Sequence, residues 1–583
     1  MLEVRAHREA RQGPRISNPA QPIHGAANEP VSEGTETTSS FARIAWAILI
    51  AATLYVCYFA HLGAVGLVGP DEPRYAWIAR DMAETGDWVT PRLYGKPWFE
   101  KPPLYYWGAA ASFKLFGVSE TTARLPSALC ALLATLALGW LAWRVYGAET
   151  ARWFLILLPT TVGMIGFSHA AATDMPFSAM LTIAMVCAAV VMGLARNEKT
   201  PILPRTPWLA LILFGFFLGL AMLAKGPAAI ILSGGGVFFW AIFTKRWRDA
   251  FRLLHPVAIA AFLATSLPWY IVCAQRNPDF FRVFIIEHNF KRFLTPEFQH
   301  IQPFWYYGPI LLIAFLPWAG ALIFFLVAGT RRLLASGTLN QLTLLLTCWA
   351  VFCLVFFTIS KSKLPGYVLP AVPALGTLLV RALTLTRSRR AVFRAMVAAG
   401  ATLLFAGILT RIFVLHLGPK IDPLQGSILS AVAVFLGCAN IFLAVALNSK
   451  SGSNRAAVHG LLVGFFALLP ILIVPSLSRQ TGLAALSVKG VAQSIVDRGI
   501  HPEELRVLDL RRDRRYALNF YMHHEIPDWT EQRVREGYVL TTGKGCRDLK
   551  ADQLCEDLWG FVDMEGPAWA LLRVRPQEVI IPR

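Results

Sequence analysis

The first residues whose types suggest chemistry are two adjacent acids, Asp71 and Glu72, which follow the first long apolar segment. Arg74 and Tyr75 come directly afterwards, within about one helical turn. Acidic side chains stabilise the first turn of a helix through its dipole, so this acid pair taken alone is explained as a helix start.

The rest of the same loop favours a functional interpretation. Glu100 and Lys101 lie between Trp-Phe on one side and Pro-Pro-Leu-Tyr-Tyr-Trp on the other. A charged pair between aromatic residues and two prolines is not typical of a plain connecting loop. We therefore interpret the loop as part of a site.

Two isolated charges between apolar segments are further candidates. Ionisable groups at a membrane are costly and are functional candidates by default. Asp174 could cap the helix that follows it, or could be a second acid facing the same outer cavity. Lys225 could extend its amine to the interface, or could bind an anion.

A second group of candidates lies further along the chain. His288 and Arg292 belong to a long aromatic loop, and Arg292 could hold a phosphate there. Lys361, Lys363 and Tyr367 form a short motif between two apolar segments, and this motif suits an anion.

Acids and cations on one side of a membrane indicate a site for a phosphorylated lipid. When a sugar–phosphate bond breaks, negative charge develops on the leaving phosphate. Fixed Lys and Arg side chains stabilise such charge strongly in a water-excluded site. A carboxylate can orient or deprotonate the nucleophile.

The composition supports a membrane protein. Hydrophobic residues make up 55% of the 583 residues and charged residues 16%, whereas soluble domains carry about 25% charged residues. The net charge of +19 does not indicate nucleic-acid binding, because most basic residues lie in short loops between apolar segments. We predict a polytopic α-helical membrane protein.

Thirteen apolar segments predict about 13 transmembrane helices, because a bilayer core requires roughly 20 residues per helix. The third and eighth, Trp153–Ala171 and Phe304–Val327, are each interpreted as one helix; the last is Ala456–Val474. Only residues 224–226 separate the fifth from the sixth. The loops after even-numbered segments carry 17 Lys and Arg residues against three acids, which predicts a cytoplasmic N-terminus and a C-terminus outside.

These features divide the chain into three regions. Residues 1–42 are polar and predict a disordered cytoplasmic tail. Residues 43–475 form the predicted transmembrane domain, with outer interfacial loops at about 69–124 and 274–303. Residues 476–583 are more polar, with short β-type runs, and predict a small α/β domain outside the membrane.

The nine cysteines do not indicate a zinc site, because no CxxC or Cys/His ligand spacing occurs. Seven lie in apolar segments. Cys546 and Cys555 lie in the outer C-terminal region, where oxidation is allowed, and we expect them to form a disulfide.

The chain resembles the lipid A 4-amino-4-deoxy-L-arabinose transferases (undecaprenyl phosphate-α-L-Ara4N transferases), which belong to the GT-C class of glycosyltransferases. The similarity covers roughly residues 45–375; the later helices and the tail match only in general layout. It rests on motifs that occur in the family's order: Asp71–Tyr75, Gly86–Trp88, Phe99–Leu104, Glu287–His288 with Arg292–Phe293, Pro303–Tyr307 and Ser360–Tyr367.

The resemblance implies a GT-C fold with a periplasmic active site, in a multi-pass enzyme of the bacterial inner membrane. Such an enzyme takes the aminosugar from undecaprenyl phosphate and places it on lipid A phosphates. The product masks anionic charge and gives resistance to polymyxin and cationic peptides. The implied partners are the lipid-linked donor, the lipid A acceptor and membrane lipids, without nucleic acid.

The resemblance also assigns roles to residues. Asp71 and Asp174 are the implied catalytic acids, and Lys101, Arg292 and Tyr367 are the implied donor phosphate ligands. We expect the remaining candidates to line the substrate cavity: Glu72, Arg74, Tyr75, Glu100, Lys225, His288, Lys361 and Lys363.

A phosphate acceptor barely needs a base, because its second pKa is about 6. We therefore expect Asp71 to orient the acceptor or to balance oxocarbenium character, whereas an alcohol acceptor would need a true base. Glu100 or Asp174 could recognise the sugar amine. The scheme requires no cofactor, although Glu100 with Glu287 or His288 could bind a divalent metal ion.

Two alternatives remain open from the sequence. One keeps the fold but transfers another polyprenyl-linked sugar or uses a protein acceptor, as a protein O-mannosyltransferase does. The other is a transporter of polyprenyl-linked sugar. Transporters usually place ionisable groups near the membrane midplane within repeats, whereas these motifs lie on the outer side of a chain without an evident repeat.

Overall fold

The structure is a computed structural model that describes residues 40–195, 207–291, 294, 301–336, 340–385, 389–416, 423–449, 487–534, 536–552, 555–561 and 569–574. Most of the predicted tail at 1–42, the predicted helix Ala456–Val474 and the candidate Arg292 lie outside these residues.

The described part of the chain is mainly helical. The helices of the first half are α1 (Ser40–Tyr58), α2 (Asp71–Thr85), α3 (Leu104–Phe116), α4 (Glu120–Tyr146), α5 (Ala148–Leu157), α6 (Val162–Ser168), α7 (Asp174–Val191), α8 (Trp208–Lys225), α9 (Ala228–Thr244), α10 (Trp247–Phe251) and α11 (Pro256–Arg276). A π-helix follows at Arg282–Lys291, and then α12 (Tyr307–Ala314), α13 (Ala319–Ser336), α14 (Gln341–Ile359), a 3-10 helix at Pro365–Ala371, α15 (Val372–Leu385), α16 (Arg389–His416) and α17 (Pro423–Ser449).

Within the described residues, seven helices are long and apolar enough to cross a membrane, or up to nine if each of two bent pairs counts as one span. The chain is therefore a multi-pass membrane protein. The number thirteen stays a prediction. The predicted break between the fifth and sixth segments is present, because α8 ends at Lys225 and α9 begins at Ala228.

Two segments that the sequence predicts as single helices are broken, so that prediction is wrong. The third predicted helix is α5 and α6, which bend by 61°, and the eighth is α12 and α13, which bend by 118°. Pro159 lies in the first break and Pro317 in the second. Proline lacks an N–H and disrupts the hydrogen bonds of a helix interior, which explains why each helix breaks there.

The two breaks contact each other and pair their exposed polar groups. The Val162 N–H donates to the Leu316 carbonyl at 2.9 Å. The Trp318 indole donates to the Thr160 hydroxyl at 2.9 Å. Non-helical backbone within a membrane protein persists where such partners replace the lost helical hydrogen bonds.

The loop at residues 69–124 contains α2, a hairpin of β1 (Arg92–Leu93) and β2 (Lys96–Pro97), and α3. The hairpin turns through Tyr94 and Gly95, whose φ angles are 53° and 74°. Two residues at positive φ match the right-handed twist of paired strands, so this short turn reverses the chain before Glu100.

The C-terminal residues contain helices and one sheet. Their elements are α18 (Lys489–Asp497), β3 (Leu505–Leu508), α19 (Arg512–Met522), β4 (Gly537–Thr542), α20 (Gly543–Asp552), β5 (Cys555–Phe561) and β6 (Trp569–Val574). The strand order is β3-β4-β6-β5, with β3 and β4 parallel and the other pairs antiparallel. The predicted disulfide is wrong, because Cys546 carries a free thiol.

The C-terminal region is attached to the first loop through polar contacts. The Tyr521 hydroxyl donates to the Glu120 carboxylate at 3.0 Å and accepts from the Leu67 N–H at 2.7 Å. Lys489 forms an ion pair with the same Glu120 carboxylate at 2.7 Å. These contacts place α19 beside α2.

A buried ion pair between Glu72 of α2 and Arg124 of α4 fixes the first loop. The Arg124 guanidinium donates to both carboxylate oxygens, at 3.0 and 2.7 Å, and to the carbonyls of residues 62, 65 and 66. The Glu72 carboxylate also accepts from the N–H groups of Val68 and Ala171, at 2.9 and 2.8 Å. One pair therefore joins the chain before α2, α4 and the segment before α7.

Replacing Arg124 with Met is expected to destabilise the protein strongly, because the Glu72 carboxylate would remain buried without its counter-ion. Breaking a buried pair costs about 3–5 kcal/mol. Arg80→Met is the matched control, since it removes a more exposed pair with Glu84 on α2, which is worth less than about 1 kcal/mol. Thermal unfolding of both variants in one detergent measures the difference. Equal stability of the two variants would contradict the role of Arg124.

Candidate active site

The candidate site is a cavity of about 1190 Å³. Its walls come from the start of α2, the loop between β2 and α3, the ends of α8 and α11, the π-helix and the start of α19. A cavity of this size accommodates a large ligand. Charged and aromatic side chains from these separate segments face one space.

Arg74 is the centre of an ion-pair network in this cavity. Its guanidinium donates to Asp71 at 2.5 Å and pairs with Glu100 at 2.9 Å. Lys101 lies 3.5 Å from the other Glu100 oxygen. Asp71 is 47% exposed, whereas Glu100 is 11% exposed, so Asp71 is the more accessible of these two carboxylates.

Aromatic rings surround the Arg74 guanidinium. Its central carbon lies 5.1 Å from the Tyr75 ring centre, 5.4 Å from that of Trp98 and 5.8 Å from that of Tyr516. Guanidinium groups are attracted to ring faces. The side chain, which is only 4% exposed, is therefore held in place by rings as well as by acids.

Burial alone would lower the pKa of the Arg74 guanidinium. The neighbouring carboxylates of Glu100 and Asp71 act in the opposite direction, so this pKa is above its usual value and the group stays charged. Burial is the main reason why the pKa values of the Tyr75 and Tyr106 phenols are raised well above their usual range, and the two carboxylates add to it. Both phenols therefore stay neutral.

A second ion pair lies across the cavity. The Lys225 amine at the end of α8 donates to Asp174, the first residue of α7, at 2.5 Å. The amine also lies 4.7 Å from the centre of the Tyr367 ring. Gly366 packs against the Asp174 carboxylate so closely that an added Cβ would lie 2.5 Å from Oδ1.

The structure brings most of the sequence candidates together. The cavity is lined by Asp71, Arg74, Tyr75, Glu100, Lys101, Asp174, Lys225, His288 and Tyr367. Arg292 lies outside the described residues.

Three candidates do not line the cavity, which corrects the prediction for them. The Glu72 side chain is turned to Arg124 and is 9% exposed. The Lys363 amine is buried and donates to the Ser360 carbonyl at 2.7 Å. Lys361 is exposed beside it and is also absent from the cavity wall.

The sequence analysis missed two groups of cavity residues. Arg276, Asp279 and Arg282 come from the end of α11 and the start of the π-helix. Arg511 and Arg512, with Asp513, come from the start of α19. Clusters of Arg and Asp are common on solvated surfaces, so the sequence carries no signal that sets the second group apart. Its place in the cavity wall follows from the packing of α19 beside α2.

The chemistry of this arrangement suits a phosphate-bearing ligand. Lys and Arg side chains can bind phosphate oxygens, and an accessible carboxylate can orient a nucleophile. Among the residues that the structure describes, no cluster of three or more His, Cys, Asp or Glu side chains has the geometry to hold a metal ion.

Relatives with one shared name are similar to this chain. "Undecaprenyl phosphate-alpha-4-amino-4-deoxy-L-arabinose arabinosyl transferase" of Edwardsiella ictaluri is 34% identical over 330 residues, 56% of this chain and 58% of the relative. The transferase of the same name from Yersinia enterocolitica is 32% identical, over 64% of this chain and 65% of the relative. These alignments span less than two thirds of either relative. That of Aeromonas salmonicida is 28% identical over 86% of this chain and 94% of the relative.

The family model "Dolichyl-phosphate-mannose-protein mannosyltransferase" matches residues 44–284. Among solved structures, ArnT from Cupriavidus metallidurans bound to undecaprenyl phosphate aligns with a TM-score of 0.73. The alignment has 22% identity and covers 91% of this chain and 98% of ArnT. The apo form of the same protein aligns with a TM-score of 0.70. The chain therefore has the fold of ArnT, and its resemblance to the undecaprenyl phosphate-aminoarabinose transferases is confirmed.

Proposed function

We propose that this protein transfers 4-amino-4-deoxy-L-arabinose from undecaprenyl phosphate to a phosphate of lipid A at the periplasmic face of the bacterial inner membrane. The modification lowers the negative charge of lipid A and gives resistance to polymyxin and cationic peptides. The names of the relatives support the substrates, and the cavity supports the chemistry. The observation that carries the proposal is the accessible Asp71 carboxylate beside a fixed set of cations and rings.

The proposed reaction is a displacement at the anomeric carbon of the sugar. An oxygen of the lipid A phosphate forms a bond to that carbon, and the bond from the carbon to the undecaprenyl phosphate oxygen breaks. The electron pair of the broken bond stays on the leaving phosphate, where cations stabilise it. The acceptor is already largely ionised at pH 7, so no strong base is needed.

We assign the roles from exposure and charge pairing. Asp71 orients the acceptor or balances positive charge on the sugar, because its carboxylate is more exposed than those of Glu100 and Asp174. Lys101 and Tyr367, with Arg292, bind the donor phosphate. Asp174 or Glu100 recognises the sugar amine. The proposed transfer uses no metal ion or organic cofactor.

The remaining sequence predictions belong to this proposal. The distribution of basic loops supports a cytoplasmic N-terminus at the end of a disordered tail, thirteen membrane spans and a periplasmic C-terminal domain. In this orientation the cavity faces the periplasm. A lipid-linked donor can then enter the cavity laterally from the bilayer.

A second candidate function is transfer of mannose from a polyprenyl phosphate to a protein. The family model that matches residues 44–284 favours it. A protein hydroxyl is not ionised at pH 7, so that reaction would need a carboxylate as a true general base.

Mass spectrometry of lipid A tests the proposal. The chain is expressed in a polymyxin-sensitive strain that makes the lipid-linked aminosugar but lacks its own transferase. We expect aminoarabinose on lipid A and a gain of polymyxin resistance, because the cationic sugar masks phosphate charge. Unmodified lipid A in cells with well-inserted protein would contradict the proposal, and mannosylated periplasmic protein would favour the second candidate.

Asp71→Asn is expected to lower transfer by at least about tenfold, because it removes the charge that acts on the reacting groups. If Asp71 only started α2, Asn would replace it at a cost of a few tenths of a kcal/mol. Asp497→Asn, an exposed change on α18, is the control. Transfer is measured on lipid A at matched protein levels. Full activity of the Asp71 variant would leave Asp174 or Glu100 as the better candidate.

Gly366→Ala is expected to reduce transfer severalfold without unfolding the protein. The new Cβ would displace the Asp174 carboxylate and weaken its pair with Lys225. Gly308→Ala is the matched control, since a Cβ there meets no atom within 4 Å. Kinetics with purified protein check both variants. Equal activities would show that the position of Asp174 does not matter for transfer.

A further inference from the structure

The rim of the cavity contains residues from the C-terminal region. Arg511, Arg512 and Asp513, at the start of α19, line the same space as Asp71. Arg511 and Asp513 form a two-pronged ion pair, with both distances at 3.2 Å. These residues belong to no motif that carries the resemblance to the transferases.

Charge pairing distinguishes one side chain among the cavity cations. Seven Lys and Arg residues of the described chain line the cavity. Six form an ion pair with an acid: Arg74, Lys101, Lys225, Arg276, Arg282 and Arg511. Within the described ranges Arg512 makes no ion pair.

Arg512 is nevertheless held in position. Its Nε donates to the Tyr516 hydroxyl at 3.1 Å, one turn further along α19. Its guanidinium lies 5.4 Å from the centre of the Tyr516 ring, which also contacts Arg74. The side chain is exposed at the cavity wall. Among the described residues its terminal N–H groups form no hydrogen bond, so they can bind a ligand. An exposed, positioned guanidinium without an acid is suited to an incoming anion.

We propose that Arg512 binds a second phosphate of the acceptor, at a subsite separate from the phosphate that receives the sugar. This inference rests on the proposed function, and it makes the enzyme selective for an acceptor that carries two phosphates. Arg74 is paired with Asp71, the acid that we assign to the acceptor. The reacting phosphate would therefore bind near Arg74, and the second phosphate would bind near Arg512, on the other contact of the Tyr516 ring. The planar guanidinium of Arg512 matches a phosphate because it can donate two parallel hydrogen bonds.

The test compares two acceptors with the purified full chain in a nonionic detergent without anionic lipids. One acceptor is lipid A with two phosphates, and the other is the same lipid A with one. For Arg512→Gln we expect the KM for the two-phosphate acceptor to rise about tenfold, the size of one charge-assisted hydrogen bond. We expect kcat and the KM for the one-phosphate acceptor to stay unchanged.

Two further variants sharpen the comparison. Arg512→Lys keeps the charge but loses the planar fork, so its KM for the two-phosphate acceptor is expected to lie between those of wild type and Arg512→Gln. Arg498→Gln removes an exposed arginine on the C-terminal side that does not line the cavity, and it is expected to match wild type.

Several results would overturn the inference. These are equal KM values of wild type for the two acceptors, an equal effect of Arg512→Gln on both, and loss of kcat in that variant. The first of these needs no variant, so the test survives poor folding of a mutant. If wild type transfers no aminosugar to either acceptor, the proposed function itself fails, which is a different outcome.

Discussion

The buried ion pair between Glu72 and Arg124 is the constraint on which the arrangement of the cavity depends. Glu72 is adjacent to Asp71, so the pair fixes where α2 begins and where the Asp71 carboxylate emerges. The same Glu72 carboxylate accepts the N–H of Ala171, three residues before Asp174. Buried pairs add little net stability but are costly to break. The pair therefore acts by specifying the positions of Asp71 and Asp174.

The broken helices are a second constraint on the same region. The α5–α6 and α12–α13 breaks contact each other through Val162 and Leu316. Their backbone groups would be unsatisfied in lipid, so the breaks must stay together. α6 leads into α7, which begins at Asp174. Paired breaks thus support the wall that carries the second acid.

The sequence was sufficient for features that depend on local composition. Apolar length predicted a multi-pass helical membrane protein, and residue type identified charged groups such as Asp71, Glu100 and Asp174 in the cavity. Sequence analysis failed where tertiary contacts determine which space a side chain faces. The local sequence does not show that Asp71 faces the cavity and Glu72 does not, because Arg124, the partner of Glu72, is 52 residues away. Lys363 is turned to a backbone carbonyl of its own loop, and Arg512 reaches the cavity only because α19 docks beside α2.

The charge pairing in the cavity has a consequence for how phosphates bind. Cations such as Arg74 and Lys225 already hold an acid, which avoids the cost of an unpaired charge in a poorly solvated site. A phosphate that binds to such a cation must share it with, or displace, that acid, so part of the gain in binding is lost. An anion that binds Arg512 displaces no acid among the described residues. In the proposed reaction, the cations near Asp71 and Asp174 would therefore favour charge that develops on the leaving phosphate, whereas Arg512 would favour charge that the acceptor already carries.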